Sequence, residues 1–167
     1  MMECVAREEI RGELAPPGVL LLGESNPYGS DPTYSLYCYP VGCAGYNLRR
    51  ILGLPQHQYL GLHRGNLCDG PWSMKEARRR AALLVADPSA PWRTIVMLGR
   101  KVADAFNYEQ PFFTHGIVAR TDGEMRLVSL PHPSGRNAGS WTGNARERAR
   151  EILREIAPAI AWGSADE

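Results

Sequence analysis

Two short loops contain the side chains of this sequence that are best suited to chemistry. The first loop begins with Glu24, Ser25 and Asn26, and the second begins with His132. A carboxamide such as that of Asn26 cannot take up a proton as a base, but it can orient a water molecule for attack. An imidazole can donate a hydrogen bond to negative charge that develops during a reaction. The two loops are therefore the candidate functional site.

Both loops follow apolar runs that are typical of buried β-strands. The first loop follows residues 19–22, and the second follows a hairpin predicted over residues 117–120 and 125–130. Residues 94–98 predict another buried strand, and residues 59–63 predict a further extended segment. Ligands of parallel sheets bind beyond the carboxyl ends of the strands, so the polar loops that follow these strands are expected to converge.

Helices alternate with the predicted strands. Residues 46–52, 100–106 and 143–157 predict three helices, two of them with an apolar face. Ser73 and Glu76 have the spacing of a capping box, which predicts the start of another helix. This alternation predicts an α/β domain with a mainly parallel central sheet.

Length, charge and hydropathy bound the class of protein. The 167 residues predict one domain over residues 1–167, with residues 1–16 and 163–167 as peripheral or flexible ends. The net charge of +1 provides no general basic excess, so any contact with nucleic acid must depend on the local placement of cations. No apolar run is long enough to span a bilayer, and the acidic N-terminus is unlike a signal peptide. A cytoplasmic monomer that does not bind a membrane is expected.

The four cysteines do not form a recognisable metal-binding pattern. They contain no C-x-x-C pair and are expected to be reduced thiols. Cys38 and Cys43 with His57 or His63 have the right donor atoms for zinc, but their spacing is not specific for it. We therefore predict no metal and no cofactor.

Two motifs resemble those of the uracil-DNA glycosylase superfamily. They are Ser25-Asn26-Pro27-Tyr28 and His132-Pro133-Ser134-Gly135-Arg136-Asn137. The resemblance spans the chain from about Leu20 to the C-terminal helix. It implies a three-layer α/β/α sandwich with a central, mainly parallel four-stranded sheet. It also implies hydrolysis of the N-glycosidic bond of a base flipped out of DNA, which leaves an abasic site.

The resemblance implies catalytic roles for two residues. Asn26 takes the place of the residue that positions the attacking water, and His132 takes the place of the histidine that stabilises negative charge on the leaving base. A glycosylase that also cleaves the strand needs an amine nucleophile. Lys75 and Lys101 are the only lysines, and both are expected in helices away from the loops, which favours a monofunctional hydrolase.

Further residues are implied to bind the base. Tyr28 resembles a wall against substituents at the pyrimidine 5-position, and Asn66 resembles the asparagine that reads the flipped base through its amide. A stacking aromatic is expected from Tyr34, Tyr37 or Tyr39, and Tyr37 is the one that we assign to the base.

The implied partner is DNA that contains a damaged or modified base. The loop that begins at Ser134 corresponds to one that presses into the minor groove in relatives, which implies DNA contacts from the polar and flexible residues of both loops. These are Ser30, Ser134, Gly135, Arg136 and Asn137. Gly23 lies one residue further from Asn26-Pro27 than the family glycine does, so the first loop is longer. Uracil and a hypermodified pyrimidine of phage DNA therefore both stay open as the excised base.

Two other functions stay open as alternatives. The segment Gly23-Glu24-Ser25 is similar to the nucleophile block of small serine esterases, but none of the four histidines has an aspartate three residues before it. A non-catalytic module that binds a modified base on the same fold is the other alternative. Release of a base from DNA would distinguish a glycosylase from this binding module.

Overall fold

The structure is a computed structural model, and it describes residues 18–26 and 31–165. Five strands of this part of the chain form one sheet in the order β2-β1-β3-β5-β4. The strands are β1 Gly18–Ser25, β2 His63–Cys68, β3 Trp92–Leu98, β4 Thr114–Arg120 and β5 Gly123–Leu130. The helices are α1 Ala44–Leu52, α2 Gln56–Gly61, α3 Met74–Ala86, α4 Arg100–Ala105 and α5 Ala145–Ile156. Short 3-10 turns occupy Pro32–Tyr34 and Gly135–Trp141.

The sheet is mostly parallel. Strand β1 pairs in parallel with β2 and β3, β3 pairs in parallel with β5, and only β4 is antiparallel to its neighbour among the described strands. The predicted α/β class is confirmed, but the predicted count of four strands is wrong. The physical reason is that β4, the first arm of the predicted hairpin, hydrogen-bonds along the free side of β5 and so adds a fifth strand to the same sheet.

Helices cover both faces of the sheet. Because successive side chains of a strand point to opposite faces, β1 contributes to two cores. Leu21 packs with α1, α2 and α5 on one face, while Leu20 and Leu22 pack with α3 and α4 on the other. This double burial explains why residues 19–22 form a continuous apolar run.

The segment before β2 differs from the prediction. Residues 59–63 were expected to be extended, but Gln56–Gly61 is a helix and the strand begins only at His63. The helix is fixed by tertiary packing, because the ring of Tyr59 is fully buried in the core. Asn66 consequently lies within β2, opposite Gly23 of β1, and not in a loop after the strand.

Two predicted helix ends are confirmed, the start of α3 at the Ser73 capping box and the end of α1 at residue 52. The other limits differ by up to two residues, since α1 begins at Ala44 and α5 spans Ala145–Ile156. The side chain of Ser73 accepts the backbone N–H of Glu76 at the start of α3. Gly53 ends α1 in the left-handed conformation. Within residues 163–167, which were assigned to a peripheral or flexible end, Gly163 and Ala165 donate backbone hydrogen bonds to Leu52 and Gly53 at this corner.

Candidate active site

A cavity of about 300 Å³ lies beyond the carboxyl ends of β1 and β2. Its walls come from the end of β1, the segment that leads into α1, the first turn of α1, β2 and His132, which lies just after β5. The described residues that line it are Glu24, Ser25, Tyr34, Leu36, Tyr37, Cys43, Ala44, Gly45, Asn66 and His132. Three residues that the sequence assigned to one site, Tyr37, Asn66 and His132, therefore share a single cavity.

His132 is held by hydrogen bonds on two sides. The indole N–H of Trp141 donates to the backbone oxygen of His132 at 3.3 Å. The backbone N–H of Ser134 donates to Nδ1 of the imidazole at 3.1 Å. Nδ1 must therefore carry a lone pair, and the neutral ring carries its proton on Nε2.

The partial burial of this imidazole favours its neutral form. Burial lowers the pKa of His132 below the ordinary histidine value, the nearby Glu24 carboxylate raises it and Lys101 lowers it, with burial the largest effect. A neutral His132 with its proton on Nε2 is a hydrogen-bond donor that needs no further proton. Such a group can stabilise negative charge on an oxygen atom of a ligand.

Glu24 is the site residue that the sequence analysis did not assign. Its carboxylate is half-buried, lines the cavity and lies 3.8 Å from Nζ of Lys101. Glu24 belongs to β1 and His132 follows β5, and β3 lies between these two strands. A signal was present in the sequence, because Glu24 is the first carboxylate after the apolar run of residues 19–22.

Gly99 allows Glu24 and His132 to approach each other. It follows β3 directly and has a φ of 100°, a conformation that residues with a side chain rarely adopt. A Cβ atom at this position would lie 3.2 Å from Cβ of His132 and 3.4 Å from Oε1 of Glu24. The absence of a side chain at Gly99 therefore leaves room for the two functional groups.

Asn26 has a different position from Glu24. Its side chain is buried, with 5% of its surface exposed, and its amide nitrogen donates to the backbone oxygen of Asp31 at 3.0 Å. Asn26 is not among the described residues that line the cavity. This hydrogen bond connects the end of β1 to the segment that begins at Asp31. Tyr28 and Ser30, which the sequence assigned to the base and to DNA, lie outside the described residues.

Asn66 presents a donor without a protein partner. Its amide nitrogen is buried and has no hydrogen-bond partner in the part of the chain that the structure describes. Its amide oxygen lies so close to β1 that a Cβ atom at Gly23 would be 2.5 Å away. Buried polar groups are nearly always hydrogen-bonded, so an unpaired donor in a cavity wall is suited to a ligand acceptor.

Two tyrosines form an aromatic wall. Tyr34 and Tyr37 both line the cavity, and their rings meet edge to face with centroids 5.9 Å apart. Tyr39 is 46% exposed, does not line the cavity and donates its hydroxyl to Gln56 at 2.7 Å. Of the three candidate stacking residues, the structure therefore brings Tyr34 and Tyr37 to the site.

The backbone that carries these tyrosines is firmly held. Leu36 lies between them in the left-handed conformation with a φ of 50°, and its carbonyl oxygen accepts the hydroxyl of Tyr59 at 2.7 Å. The thiol of Cys43 donates to the backbone oxygen of Tyr37 at 3.2 Å. These bonds hold the backbone on either side of the aromatic wall in place.

The loop after His132 lies outside the cavity. Ser134 is half-buried, whereas Gly135, Arg136 and Asn137 are exposed. The backbone N–H of Asn137 donates to the oxygen of Ser134 at 3.0 Å, which closes the first of the 3-10 turns. These four residues are therefore available at the surface beside the cavity mouth, as a contact with a large partner requires.

The position of Lys101 corrects a prediction. It lies in α4, as expected, but its amine is next to the cavity-lining carboxylate of Glu24 and not away from the loops. The reason is that α4 begins directly after Gly99, so its first turn is at the same edge of the sheet as Glu24. Lys75 lies in α3, whose buried residues belong to the core on the opposite face from α1.

A larger cavity of about 450 Å³ lies between β2 and α3. Leu20, Leu22 and Trp92 provide much of its wall. Arg79 and Arg80 also line it, but both already pair with Glu76. Its lining also includes Asn66, His63 and Asp87, but Asp87 accepts hydrogen bonds from Ser89 and the ring of His63 packs against Trp92. The smaller cavity, which brings together Tyr37, Asn66 and His132, is therefore the candidate site.

Among the described residues, no group of three or more histidine, cysteine, aspartate or glutamate side chains is placed to hold a metal ion. Cys38, Cys43 and Cys68 are free thiols. None of the helices in the described ranges has the length and apolar character needed to cross a membrane.

Compared with models of protein families and with curated proteins, the chain matches none.

Proposed function

We propose that the protein is a monofunctional DNA glycosylase. It would hydrolyse the N-glycosidic bond of a flipped-out uracil-type or modified pyrimidine and leave an abasic site. One observation carries this proposal: the Glu24 carboxylate, the His132 imidazole and the unpaired Asn66 amide line one cavity together with two tyrosine rings. Under this proposal the α/β domain is a uracil-DNA glycosylase-like fold, widened by the fifth strand.

The base would be held by three kinds of contact. A flipped base can stack on the ring of Tyr34 or Tyr37, which supply a flat apolar surface. The amide nitrogen of Asn66 can donate to a base oxygen or ring nitrogen, which would give the buried donor its missing partner. Nε2–H of His132 can donate to a second base oxygen.

Bond cleavage would place negative charge on the base. As the bond between C1′ of the sugar and the base nitrogen breaks, its electron pair leaves with the base. The neutral His132 would donate a hydrogen bond through Nε2–H to the base oxygen that shares this charge. Such donors contribute about 10²- to 10³-fold in rate. The departing base then takes a proton from solvent.

Glu24 is the better candidate for the group that acts on water. A carboxylate can accept a proton from the attacking water and can also stabilise the positive charge of an oxocarbenium-like sugar, whereas an amide can only orient the water. Glu24 lines the cavity, whereas the amide of Asn26 bonds the Asp31 backbone. We therefore propose that Glu24 activates the water and that Asn26 holds the loop in position.

The lysine beside the site does not change the class of reaction. Lys101 is 57% exposed and its amine pairs with Glu24. An ammonium group has no lone pair with which to attack C1′, so strand cleavage through a Schiff base is not expected. Reduction with borohydride in the presence of substrate tests this directly, since a trapped covalent complex that Lys101→Ala abolishes would overturn the monofunctional assignment.

The geometry of His132 also bears on the esterase alternative. In a catalytic triad, Nδ1–H of the histidine donates to a carboxylate. In this protein Nδ1 accepts the N–H of Ser134 and has no such proton to donate. A non-catalytic module that binds a modified base uses the same cavity contacts and differs only in releasing no base.

The decisive experiment measures base release from DNA. Oligonucleotides with uracil or 5-hydroxymethyluracil, and phage DNA with glucosylated hydroxymethylcytosine, are incubated with the protein and then tested for abasic sites. We expect Glu24→Gln to reduce the single-turnover rate by about 10²-fold or more, and His132→Ala by about 10²- to 10³-fold. Asn26→Ala should cost less than Glu24→Gln.

The controls use residues of the same type at exposed positions. Glu124→Gln lies at the opposite end of β5 from the site, and His57→Ala lies on the exposed face of α2. Both should retain the wild-type rate. Release of a base at an unchanged rate by Glu24→Gln and His132→Ala would refute the site assignment, and binding without release from any substrate would support the binding module. The identity of the excised base would assign the protein to uracil repair or to defence against phage.

A further inference from the structure

A second concave surface lies next to the candidate site. It has a volume of about 340 Å³, and we call it the α1–α5 groove. Its lining comes from α1, the loop after His132 and the start of α5, and consists of Asn47, Arg50, Ile51, Pro133, Ser134, Gly135, Ala138, Trp141, Thr142 and Arg146. The motifs discussed above assign neither of its arginines a role.

The groove and the catalytic cavity share two walls. On the loop, His132 lines the cavity, while Pro133 and Ser134 line the groove. On α1, Gly45 lines the cavity and Arg50 lines the groove, little more than one helical turn away. A continuous chain molecule whose one unit occupies the cavity can therefore place its next unit in the groove.

The two shared walls are fixed to each other. The side-chain amide of Asn47 donates to the backbone oxygen of Pro133 at 3.0 Å, which joins α1 to the loop. The indole of Trp141 is mostly buried beneath the groove and bonds the backbone of His132. The spacing between cavity and groove is therefore set by the fold.

The charge of the groove suits a phosphate. Arg50 and Arg146 both line it and are exposed, and no acidic side chain of the described residues is in its lining. Glu147, the acidic neighbour of Arg146 in the sequence, pairs with Arg154 at 2.7 Å. Two guanidinium groups above an apolar floor can hold a phosphodiester with the sugar of the same nucleotide.

We propose that the α1–α5 groove binds the phosphodiester and sugar of the nucleotide that adjoins the one in the catalytic cavity. The proposal rests on the proposed function in that the cavity occupant is a nucleotide of a DNA strand. It extends that function by naming Arg50 and Arg146 as the residues that hold the strand. The substrate is then a polynucleotide, and a free nucleoside lacks the groove contact.

Binding is the direct test, because it requires no chemistry. The probe is a fluorescent DNA duplex with one tetrahydrofuran abasic-site analogue, and its affinity is measured by anisotropy at several salt concentrations. We expect Arg50→Gln with Arg146→Gln to weaken binding roughly tenfold and to reduce the slope of log affinity against log salt by about 1. The matched control, Lys75→Gln with Arg78→Gln, removes the same charge from exposed positions of α3 and should bind like wild type. Arg50→Lys with Arg146→Lys should restore much of the salt slope.

A neutral phosphate identifies the contact. Methylphosphonates are introduced one at a time at the phosphates on both sides of the tetrahydrofuran. We expect one adjacent position to weaken wild-type binding and to have no further effect on the double glutamine variant, since both changes remove the same contact. If every phosphate has the same effect on both proteins, or if the double variant binds like wild type, the groove is not the phosphate site.

Base release separates failure of this inference from failure of the proposed function. The double glutamine variant should need roughly tenfold more protein to reach its maximal rate of base release, whereas Glu24→Gln should release the base slowly at every protein concentration. A wild-type protein that releases no base but shows the methylphosphonate effect would refute the glycosylase proposal and support the groove. If the wild-type protein releases base and the double glutamine variant does so equally well at every protein concentration, the glycosylase proposal is supported and the groove proposal is refuted.

Discussion

The backbone N–H of Ser134 donates to Nδ1 of His132 and so fixes the tautomer of the imidazole in the candidate site. The two residues are two positions apart in the His132-Pro133-Ser134 motif, and Pro133 between them has no N–H of its own. The motif thus contains both the donor that will face the ligand and the group that orients it. The backbone N–H of Ser134 therefore fixes the tautomer opposite to the one that a triad carboxylate sets, because that carboxylate accepts a proton from Nδ1.

This relationship predicts the NMR behaviour of the ring. In long-range proton–nitrogen spectra of the free protein, Nδ1 of His132 should have the shift of an unprotonated nitrogen and Nε2 that of a protonated one. Its titration midpoint should lie below the value of about 6.5 found for histidine in model peptides, because burial disfavours the charged ring. A proton on Nδ1, or a midpoint above that of model peptides, would contradict the assignment. His132→Gln identifies the resonances.

The buried hydroxyl of Tyr59 predicts a stability effect. Tyr59→Phe leaves the carbonyl oxygen of Leu36 without its donor in the core, beside a backbone held in the left-handed conformation. We expect the free energy of unfolding to fall by about 1–3 kcal/mol, as measured by urea denaturation. Tyr39→Phe is the matched control, since its hydroxyl bonds Gln56 at the surface and its loss should cost under about 0.5 kcal/mol. Equal losses in the two variants would show that the Leu36 bond contributes nothing special.

The sequence was sufficient for the elements with strong local signals. The apolar run before Glu24, the capping serine at Ser73 and the glycine at Gly53 each depend on a few neighbouring residues, and each has its predicted place. Helix α2 was missed because its six residues are too few to display a helical period, and the buried Tyr59 stabilises it through the core. Local patterns therefore predict a helix or strand that its own residues stabilise, but not one that depends on packing against distant residues.

The site was only partly predictable for a related reason. His132 follows an apolar strand within a distinctive motif, so its proximity to the site could be expected. The approach of Glu24 to His132 depends on the order of β1, β3 and β5 and on the missing side chain of Gly99. Sheet order results from contacts between distant segments, which the sequence alone does not display.

Two half-buried histidines predict how stability depends on pH. Burial lowers the pKa of both His132 and His63 in the folded protein. The unfolded chain therefore binds protons more readily near pH 6, and the stabilisation present above the unfolded-state value of about 6.5 is lost as the pH falls through the folded-state values. The free energy of unfolding should decrease from pH 7 to pH 5. A double variant, His63→Gln with His132→Gln, should show a flatter profile, and an identical profile would assign the loss to carboxylates.

The contact between Gly23 and Asn66 predicts a substitution that affects binding without touching the ligand. A Cβ atom at residue 23 would lie 2.5 Å from the amide oxygen of Asn66, so Gly23→Ala must displace that amide. If Asn66 reads the base, Gly23→Ala should weaken substrate affinity about as much as Asn66→Ala, and the double variant should lose no more than either single one. Gly65→Ala is the matched control in the neighbouring strand, where the added methyl would make ordinary contacts with Leu22 at 3.6 Å and Leu20 at 3.9 Å. Additive losses from Gly23→Ala and Asn66→Ala would mean that the glycine acts on the fold and not through the amide of Asn66.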